Sequence, residues 1–312
     1  MLTSSVRILQ AARRGKYAVG AFNISNLEGF KVVLDAALKL KSPVIIQTSE
    51  AAVEYGGAEY LRAIAYTASK SPVPFAFHVD HGKDIELIKH CIKLGWTSVM
   101  FDGSKLPYPE NLKKTTAIAK YAHARGVSVE GELGAIKGKE DHVSVSEREA
   151  FFTEPAQAVE FAQKTGVDAL AISIGTAHGP YKFEGETVLD FKRLKTIAQL
   201  VSLPLVLHGA SGIDMAMVEL LHKDCTQHGD CVRLAGAGGV SDEAIRKAIS
   251  LGISKINIDS DLRIAFTAGL RSALLDHATW YDPRTLLTEA SAMMAATVEG
   301  KMKLFKSAGK AK

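Results

Sequence analysis

The sequence predicts a (β/α)8 TIM barrel, and three observations predict it. Eight short β-rich runs alternate with longer stretches of helical pattern, many of those stretches stop at a glycine, and three histidines stand just past the ends of three runs. The runs are AVGAF (18–22), VIIQT (44–48), FAFHV (75–79), SVMF (98–101), VSVEGE (127–132), ALAISI (169–174), LVL (205–207) and KINI (255–258). Most are apolar at successive positions, as expected of parallel strands covered on both faces. Helical pattern fills 27–40, 58–70, 84–94, 110–125, 155–165 and 241–251. No linker rich in Pro, Gly or Ser and no charge block divides the chain, so 1–312 is expected to be a single barrel domain.

Two stretches break the repeat. Residues 137–153 (KGKEDHVSVSEREAFFT) are polar and follow the fifth strand, where a mobile lid is expected. Residues 220–239 lengthen the connection before strand eight; their GAGG run follows no clear strand and lacks a dinucleotide glycine spacing, so it reads as a plain loop. After Asp261 the chain is expected to be mainly helical, with the final SAGKAK frayed.

Composition narrows the function classes. Apolar residues make up 47% and charged residues 23%, and no apolar run approaches the roughly 18 needed to span a bilayer. The opening MLTSSVRILQAARRGKYAVGAF has no continuous apolar core of a signal peptide and reads as a first helix leading to a strand, so a cytoplasmic setting is expected. The three cysteines, Cys91, Cys225 and Cys231, are odd in number and argue against a disulfide framework. A net charge of +4 without a basic block offers nucleic acid little, yet tolerates an anionic metabolite.

Each of the three histidines is followed directly by Gly: His81 in HVDHGKD, His178 in GTAHGPYK and His208 in LVLHGASG. Barrel chemistry collects at the carboxyl ends of the strands. Three neutral imidazoles with an open fourth position describe a catalytic zinc better than a closed structural one. Asp80, beside His81, is either a partner of the ligand or an acid/base group on a metal-bound substrate. The two neighbours reach one cavity if the strand ends between them. His78, earlier on the same strand, reads as a packing or supporting residue. Asp102 and Glu132 end strands four and five; they bind a second cation, hydrogen-bond the histidines or solvate the rim. HGASG (208–212) and NIDSD (257–261) end the strands that carry the usual phosphate site of this barrel, with Ser211 and Ser260 as hydroxyl donors. Lys182 is either a second phosphate contact or a surface lysine.

Together GAFN (20–23), DHG (80–82), EGELG (130–134), GTAHGPYK (175–182), LHGASG (207–212), KINIDSD (255–261) and YDPR (281–284) resemble the class II, metal-dependent fructose-bisphosphate aldolases, nearly end to end. Tagatose-bisphosphate aldolases share most of these motifs. The resemblance implies zinc, or another divalent metal such as cobalt, on His81, His178 and His208. It implies Asp80 as the acid that handles the C4 hydroxyl proton, and Asp102 and Glu132 as ligands of a second or displaced metal ion. It places Gly179, Lys182, Gly209, Ser211, Asp259 and Ser260 around the phosphate of dihydroxyacetone phosphate, Asn257 on that triose and Asn23 near the reacting carbons. Ser49 and Arg263 match the distal phosphate end, and Arg284 an arginine lent by the neighbouring subunit of a homodimer or homotetramer. Carbonyls near Ala177, Gly179 and Gly209 match a site for Na⁺ or K⁺, and Glu140 matches a candidate for proton exchange on the triose. Ser260 departs from the family's usual Thr but keeps the hydroxyl.

The resemblance implies reversible cleavage of fructose 1,6-bisphosphate in glycolysis and gluconeogenesis, with triose phosphates as products and no nucleic-acid or membrane partner. Three rivals are weaker. A metal-dependent hydrolase of this fold commonly carries an HxH pair on the first strand, whereas this one ends GAFN. A non-catalytic sugar-phosphate sensor does not need Asp80 together with three histidines. A Schiff-base aldolase does not need the metal-type spacing.

Overall fold

The computed structural model describes residues 1–134, 152–178, 188–212, 214–222 and 239–311, together with the backbone of 137–140 and 143–144; for 177–178, too, only the backbone is described. Eight parallel strands close into a barrel: β1 (Val19–Asn23), β2 (Val44–Thr48), β3 (Phe75–Gly82), β4 (Ser98–Phe101), β5 (Ser128–Leu133), β6 (Ala169–Ile172), β7 (Leu205–Leu207) and β8 (Ile253–Ile258). Each pairs with its neighbours in sequence, and β8 returns to β1 with Val19 opposite Lys255 and Ala21 opposite Asn257. The predicted barrel is therefore the observed one.

Strand periodicity sorts the residues into two layers, because successive side chains leave opposite faces. Phe22, Ile46, Phe75, Phe77, Val79, Val99, Leu170, Ile256 and Ile258 pack outward into the main core beneath the helices. Val19, Ala21, Ile45, Ala76, Ala169, Ala171 and Val206 form an inner cluster with Ile8, Leu9 and Ala12 of the first helix, Ser5–Gly15, and with Tyr17 just after it. That helix plugs the amino end of the barrel. At its start, the Ser5 hydroxyl lies 2.8 Å from those of Ser98 and Ser128. Above this plug the inward positions become polar: Gln47, His78, Glu130 and Lys255, then Asn23, Asp80, Glu132 and Asn257, all on the parity of the inner cluster.

Local sequence sets the helix boundaries. Asn26, Ser49, Asp84, Asp190, Ser241 and Asp282 each cap the following helix by accepting a backbone N–H in its first turn. Three expectations change. The helical stretch 58–70 is preceded by a further short helix, and the observed pair is Glu50–Gly56 and Ala58–Thr67. Strand β3 runs on to Gly82 instead of stopping at Val79. The end of the chain is not frayed through Ala311: the N–H groups of Gly309 and Ala311 donate to the carbonyls of Leu40 and Lys41 at 2.8 and 2.9 Å, and Phe305 and Ser307 are buried.

The C-terminal helices, Ser260–Asp276 and Pro283–Leu304, pack on the outside of the barrel, the second contributing Met294, Val298 and Met302 to the main core. The polar stretch after β5 forms short backbone pairings, with Lys137–Glu140 antiparallel to Val143–Ser144 and parallel to Ala177–His178. The GAGG run (236–239) lies outside the described residues except for Gly239.

Candidate active site

Asp80 and His81 sit in the last turn of β3, and the strand does not end between them as the sequence suggested. Instead, its pairing with β4 shifts register between Val79 and Gly82, and His81 takes a left-handed backbone, φ +49°. A non-glycine residue seldom adopts that conformation. Here it turns the His81 side chain into the same cavity that Asp80 reaches by strand parity. Gly82 allows the distortion, since a Cβ there would meet the Met100 carbonyl oxygen at 2.8 Å. After β7, His208 is likewise followed by a glycine, with φ +61°.

The Asp80 carboxylate is held at both oxygens. Asn23 Nδ2 donates to Oδ2 at 2.8 Å from the end of β1, and Asn257 Nδ2 donates to Oδ1 at 2.9 Å from β8. Gln47 supports Asn23 in turn, donating Nε2 to its Oδ1 at 2.6 Å. Burial raises the pKa of Asp80, but the charges of His81, His208 and Lys255 and the Asn23 hydrogen bond outweigh it and hold the group below its usual value. A clamped, ionised carboxylate in a cavity is equipped to accept a proton from a substrate hydroxyl.

His81 and His208 meet edge to face, with ring centroids 4.5 Å apart and His81 Nε2 2.7 Å from His208 Nδ1. Each ring directs its other nitrogen at a carboxylate. His81 Nδ1 donates to Asp102 Oδ2 at 3.0 Å and lies 3.6 Å from Glu132 Oε2, while His208 Nε2 donates to Glu130 Oε1 at 2.8 Å. A carboxylate can only accept, so these contacts leave Nε2 of His81 and Nδ1 of His208 as the lone-pair nitrogens facing one another. Two lone pairs at that distance suit a shared cation, and metal-binding histidines generally bear such outer carboxylates. One oxygen of Asp80 and a nitrogen of each histidine lie within 4.8 Å of one another, as do ligand atoms of His81, Asp102 and Glu132. The donor set therefore fits a divalent metal at the first group and allows a second position around His81.

The hydrogen bond to His81, after the cost of burial, keeps Asp102 well below the ordinary carboxylate range. Glu130 is also held low: the Lys255 ammonium, 2.8 Å from Oε2, and His208 overcome its complete burial. Burial lowers His208 to about 4, with the His81 charge adding to it against the pull of Glu130. His78, bonded through Nδ1 to the Ser98 hydroxyl at 2.7 Å, is lowered to about 3, chiefly by burial and then by Lys255.

A pH dependence follows for the metal-free protein. An unfolded histidine titrates near 6.5, so below that pH the unfolded chain binds protons that buried His78 and His208 refuse, and stability falls with pH toward their folded values. Each histidine is expected to cost about 2 kcal/mol at pH 5 relative to neutrality, at about 1.4 kcal/mol per unit. Urea unfolding of the chelated protein at pH 7 and pH 5 measures the fall. His78→Gln should remove about half of it, and an unchanged fall in that variant would contradict the assignment.

The remaining site residues divide. Ser211 is buried in the loop after β7, and Asn257 Nδ2 also lies 3.2 Å from His208 Nδ1. Ser260 opens the helix Ser260–Asp276 directly after β8, where Asp259 Oδ1 accepts from Arg263 Nε at 2.8 Å. Ser49 directly follows β2 as a helix cap, its hydroxyl accepting from Ala52 N–H at 3.2 Å. Arg284 is on the surface, 91% exposed and paired with Asp282 at 2.6 Å, so one chain alone does not bring it into the barrel. Gly179 and Lys182 lie outside the described residues, as do the side chains of Glu140 and His178. Glu130, Lys255 and Gln47 were not singled out from sequence. Their signal was a charged or amide side chain at an inward position of an otherwise apolar strand.

A model of the class-II fructose-bisphosphate aldolase family matches residues 3–310. The chain belongs to that family. It is 43% identical to the fructose-bisphosphate aldolase of Thermus caldophilus over 311 residues, covering all of both chains. It is 41% identical to that of Giardia intestinalis over 309 residues, 98% of this chain and 93% of the other. Among solved structures, the YdjI aldolase from Escherichia coli K12 matches over 100% of both chains with a TM-score of 0.80 and 32% identity. Class-II aldolases are metal-dependent lyases, and the described residues of this chain include two groups able to hold a metal ion. Among the described residues no helix is long and apolar enough to cross a membrane.

Proposed function

We propose that this aldolase cleaves fructose 1,6-bisphosphate reversibly to dihydroxyacetone phosphate and glyceraldehyde 3-phosphate, using a divalent metal, zinc in the first instance. The observation that carries the reading is the Asp80 carboxylate, fixed at both oxygens by Asn23 and Asn257 within 4.8 Å of the facing nitrogens of His81 and His208. His81, His208 and, by the family pattern, His178 would hold the metal. When bound, it would supply Lewis-acid stabilisation of the negative charge that develops on the triose oxygens as the C3–C4 bond breaks.

Asp80 removes the C4 hydroxyl proton in cleavage and returns it in condensation. Its two amide partners point the carboxylate into the cavity and leave it little freedom to rotate, a preorganisation that lowers the cost of reaching the reacting geometry. Asn257, shared between Asp80 and His208, links the acid/base group to the ligand set. The proposed phosphate cradle comprises Gly179, Lys182, Gly209, Ser211, Asp259 and Ser260. Support for it comes from the helix that begins at Ser260, whose first N–H groups suit an anion.

The distal phosphate would meet Ser49 and Arg263, with Arg284 from a second subunit of a homodimer or homotetramer. The exposure of Arg284 supports that last role. Proton exchange on the triose is assigned to Glu140. Asp102 and Glu132 are proposed to take a second or displaced metal ion, and carbonyls near Ala177, Gly179 and Gly209 a sodium or potassium ion. This reading carries with it a cytoplasmic place in glycolysis and gluconeogenesis.

The test is cleavage of fructose and tagatose 1,6-bisphosphates side by side, before and after chelation and zinc return. Fructose bisphosphate should be the better substrate, with activity abolished by chelation and restored by zinc. Preference for tagatose bisphosphate would replace the substrate assignment, and full activity without metal would end the mechanism.

A further inference from the structure

Beneath the two histidines, Glu130 of β5 and Lys255 of β8 reach across the barrel to one another. Their strands are not neighbours, both side chains are fully buried, and Lys255 Nζ lies 2.8 Å from Glu130 Oε2. The other carboxylate oxygen accepts from His208 Nε2 at 2.8 Å. Removing two charges from water costs several kcal/mol each, and an apolar pair of the same size is often at least as stable. Such a pair contributes little as packing alone.

We propose that Glu130, held in place by Lys255, is a positioning residue for the metal site: it fixes the tautomer and rotation of His208 so that Nδ1 presents its lone pair to the metal. The inference rests on the proposed function in one respect, that His208 is a metal ligand. Two neighbours assign the tautomer independently. Glu130 can only accept, so Nε2 of His208 carries the proton. On the other side of the ring, the Asn257 amide nitrogen is oriented by its bond to Asp80 Oδ1, and the same nitrogen faces His208 Nδ1 at 3.2 Å, which requires an acceptor there.

Glu130 has two acceptor oxygens and uses one for each partner. The Lys255 ammonium pairs by charge with Oε2, and Oε1 meets the ring. Small inward residues, Ala21, Ala171 and Ala76, leave the lysine and glutamate room to meet in the barrel interior. Glu132, two residues along β5 and on the same face, lies near His81 instead, so one strand supports both histidines.

The experiment compares wild type with Glu130→Gln by zinc competition against a chelator and by the visible spectrum of the cobalt-substituted protein. A glutamine has one acceptor oxygen for which Lys255 and His208 must compete. Zinc affinity is expected to fall about 10- to 100-fold, the usual effect of losing such an outer partner, and the cobalt bands to shift or change intensity. A lowered unfolding midpoint with native zinc affinity and an unaltered cobalt spectrum would overturn the proposal in favour of a packing role.

If Glu130→Gln fails to fold with Lys255 left unpaired, Glu130→Gln/Lys255→Met removes both charges and is read the same way. The unmodified metal-free protein gives a third reading: nitrogen-15 shifts should show His208 protonated at Nε2, and protonation at Nδ1 overturns the proposal. Retention of metal by His208→Ala would sink the ligand assignment itself. Loss of metal in His208→Ala alongside native affinity in the Glu130 variants would sink the positioning role alone.

Discussion

Replacing His208 or His81 with alanine should yield a folded barrel that no longer holds zinc and cleaves fructose bisphosphate at least about a thousandfold more slowly, the kinetic equivalent of about 4 kcal/mol of lost charge stabilisation. His178→Ala is expected to behave alike. The size of the effect follows from the geometry. His208 is wholly buried, and its Nδ1 stands 2.7 Å from His81 Nε2, so truncating either ring removes one of the two facing nitrogens. Truncating His208 also leaves Glu130 without one hydrogen bond, which costs about 1 to 3 kcal/mol of stability, so circular dichroism must first establish folding. Metal content by elemental analysis and aldol cleavage by coupled assay then decide the matter. A variant that keeps one tightly bound zinc per chain, or a metal-free preparation with full activity, is the adverse result.

Asp80→Ala should separate the two halves of the reaction. Cleavage is expected to fall by at least about a hundredfold, the lower end for removal of a general acid or base, while the metal stays bound. Exchange of the proton on dihydroxyacetone phosphate should survive better, because that step involves no aldehyde and no C4 hydroxyl. The structure sharpens this expectation, since Asn23 and Asn257 bind Asp80 through both oxygens and hold the carboxylate ready to accept a proton. Asp80→Asn preserves the shape and should lose cleavage to a similar degree. Equal loss of cleavage and exchange at unchanged metal content would mean that Asp80 serves the metal site as a whole.

The eight strands could be read from the sequence because a parallel barrel strand is buried on both faces and appears as a short apolar run. The VDHG stretch that follows His78 offers no comparable cue to how far β3 continues. Its extension to Gly82 depends on the irregular pairing with β4 and on the left-handed backbone of His81, a tertiary distortion without local signature. The final SAGKAK reads as polar and small, yet backbone bonds from Gly309 and Ala311 to Leu40 and Lys41 hold it. Those bonds exist only once the helix Leu27–Leu40 and the C-terminal helix lie side by side.

For the site, the motifs and strand ends point to Asp80, His81, His208, Asp102 and Glu132, which lie together in the fold. Strand ends at the carboxyl rim converge whatever the details of packing. The choice between a second metal ligand and a hydrogen-bond partner for Asp102 was not legible. The structure places it 3.0 Å from His81 Nδ1, and the same contact serves either role. Glu130 and Lys255 escaped notice because strand parity tells only which side chains point inward. Which of them meet across the barrel depends on the tilt and stagger of the closed sheet, and these are properties of all eight strands together.

By itself, then, the sequence determined the barrel, its family and the residues gathered at its rim, because each rests on local periodicity or on motif order along one chain. Only the tertiary structure decided that Asn23 and Asn257 clamp Asp80, that a bulge turns His81 inward, and that a buried ion pair supports His208. Those contacts join residues on different strands, up to 177 positions apart, and their distances are set by barrel closure, which no single segment encodes.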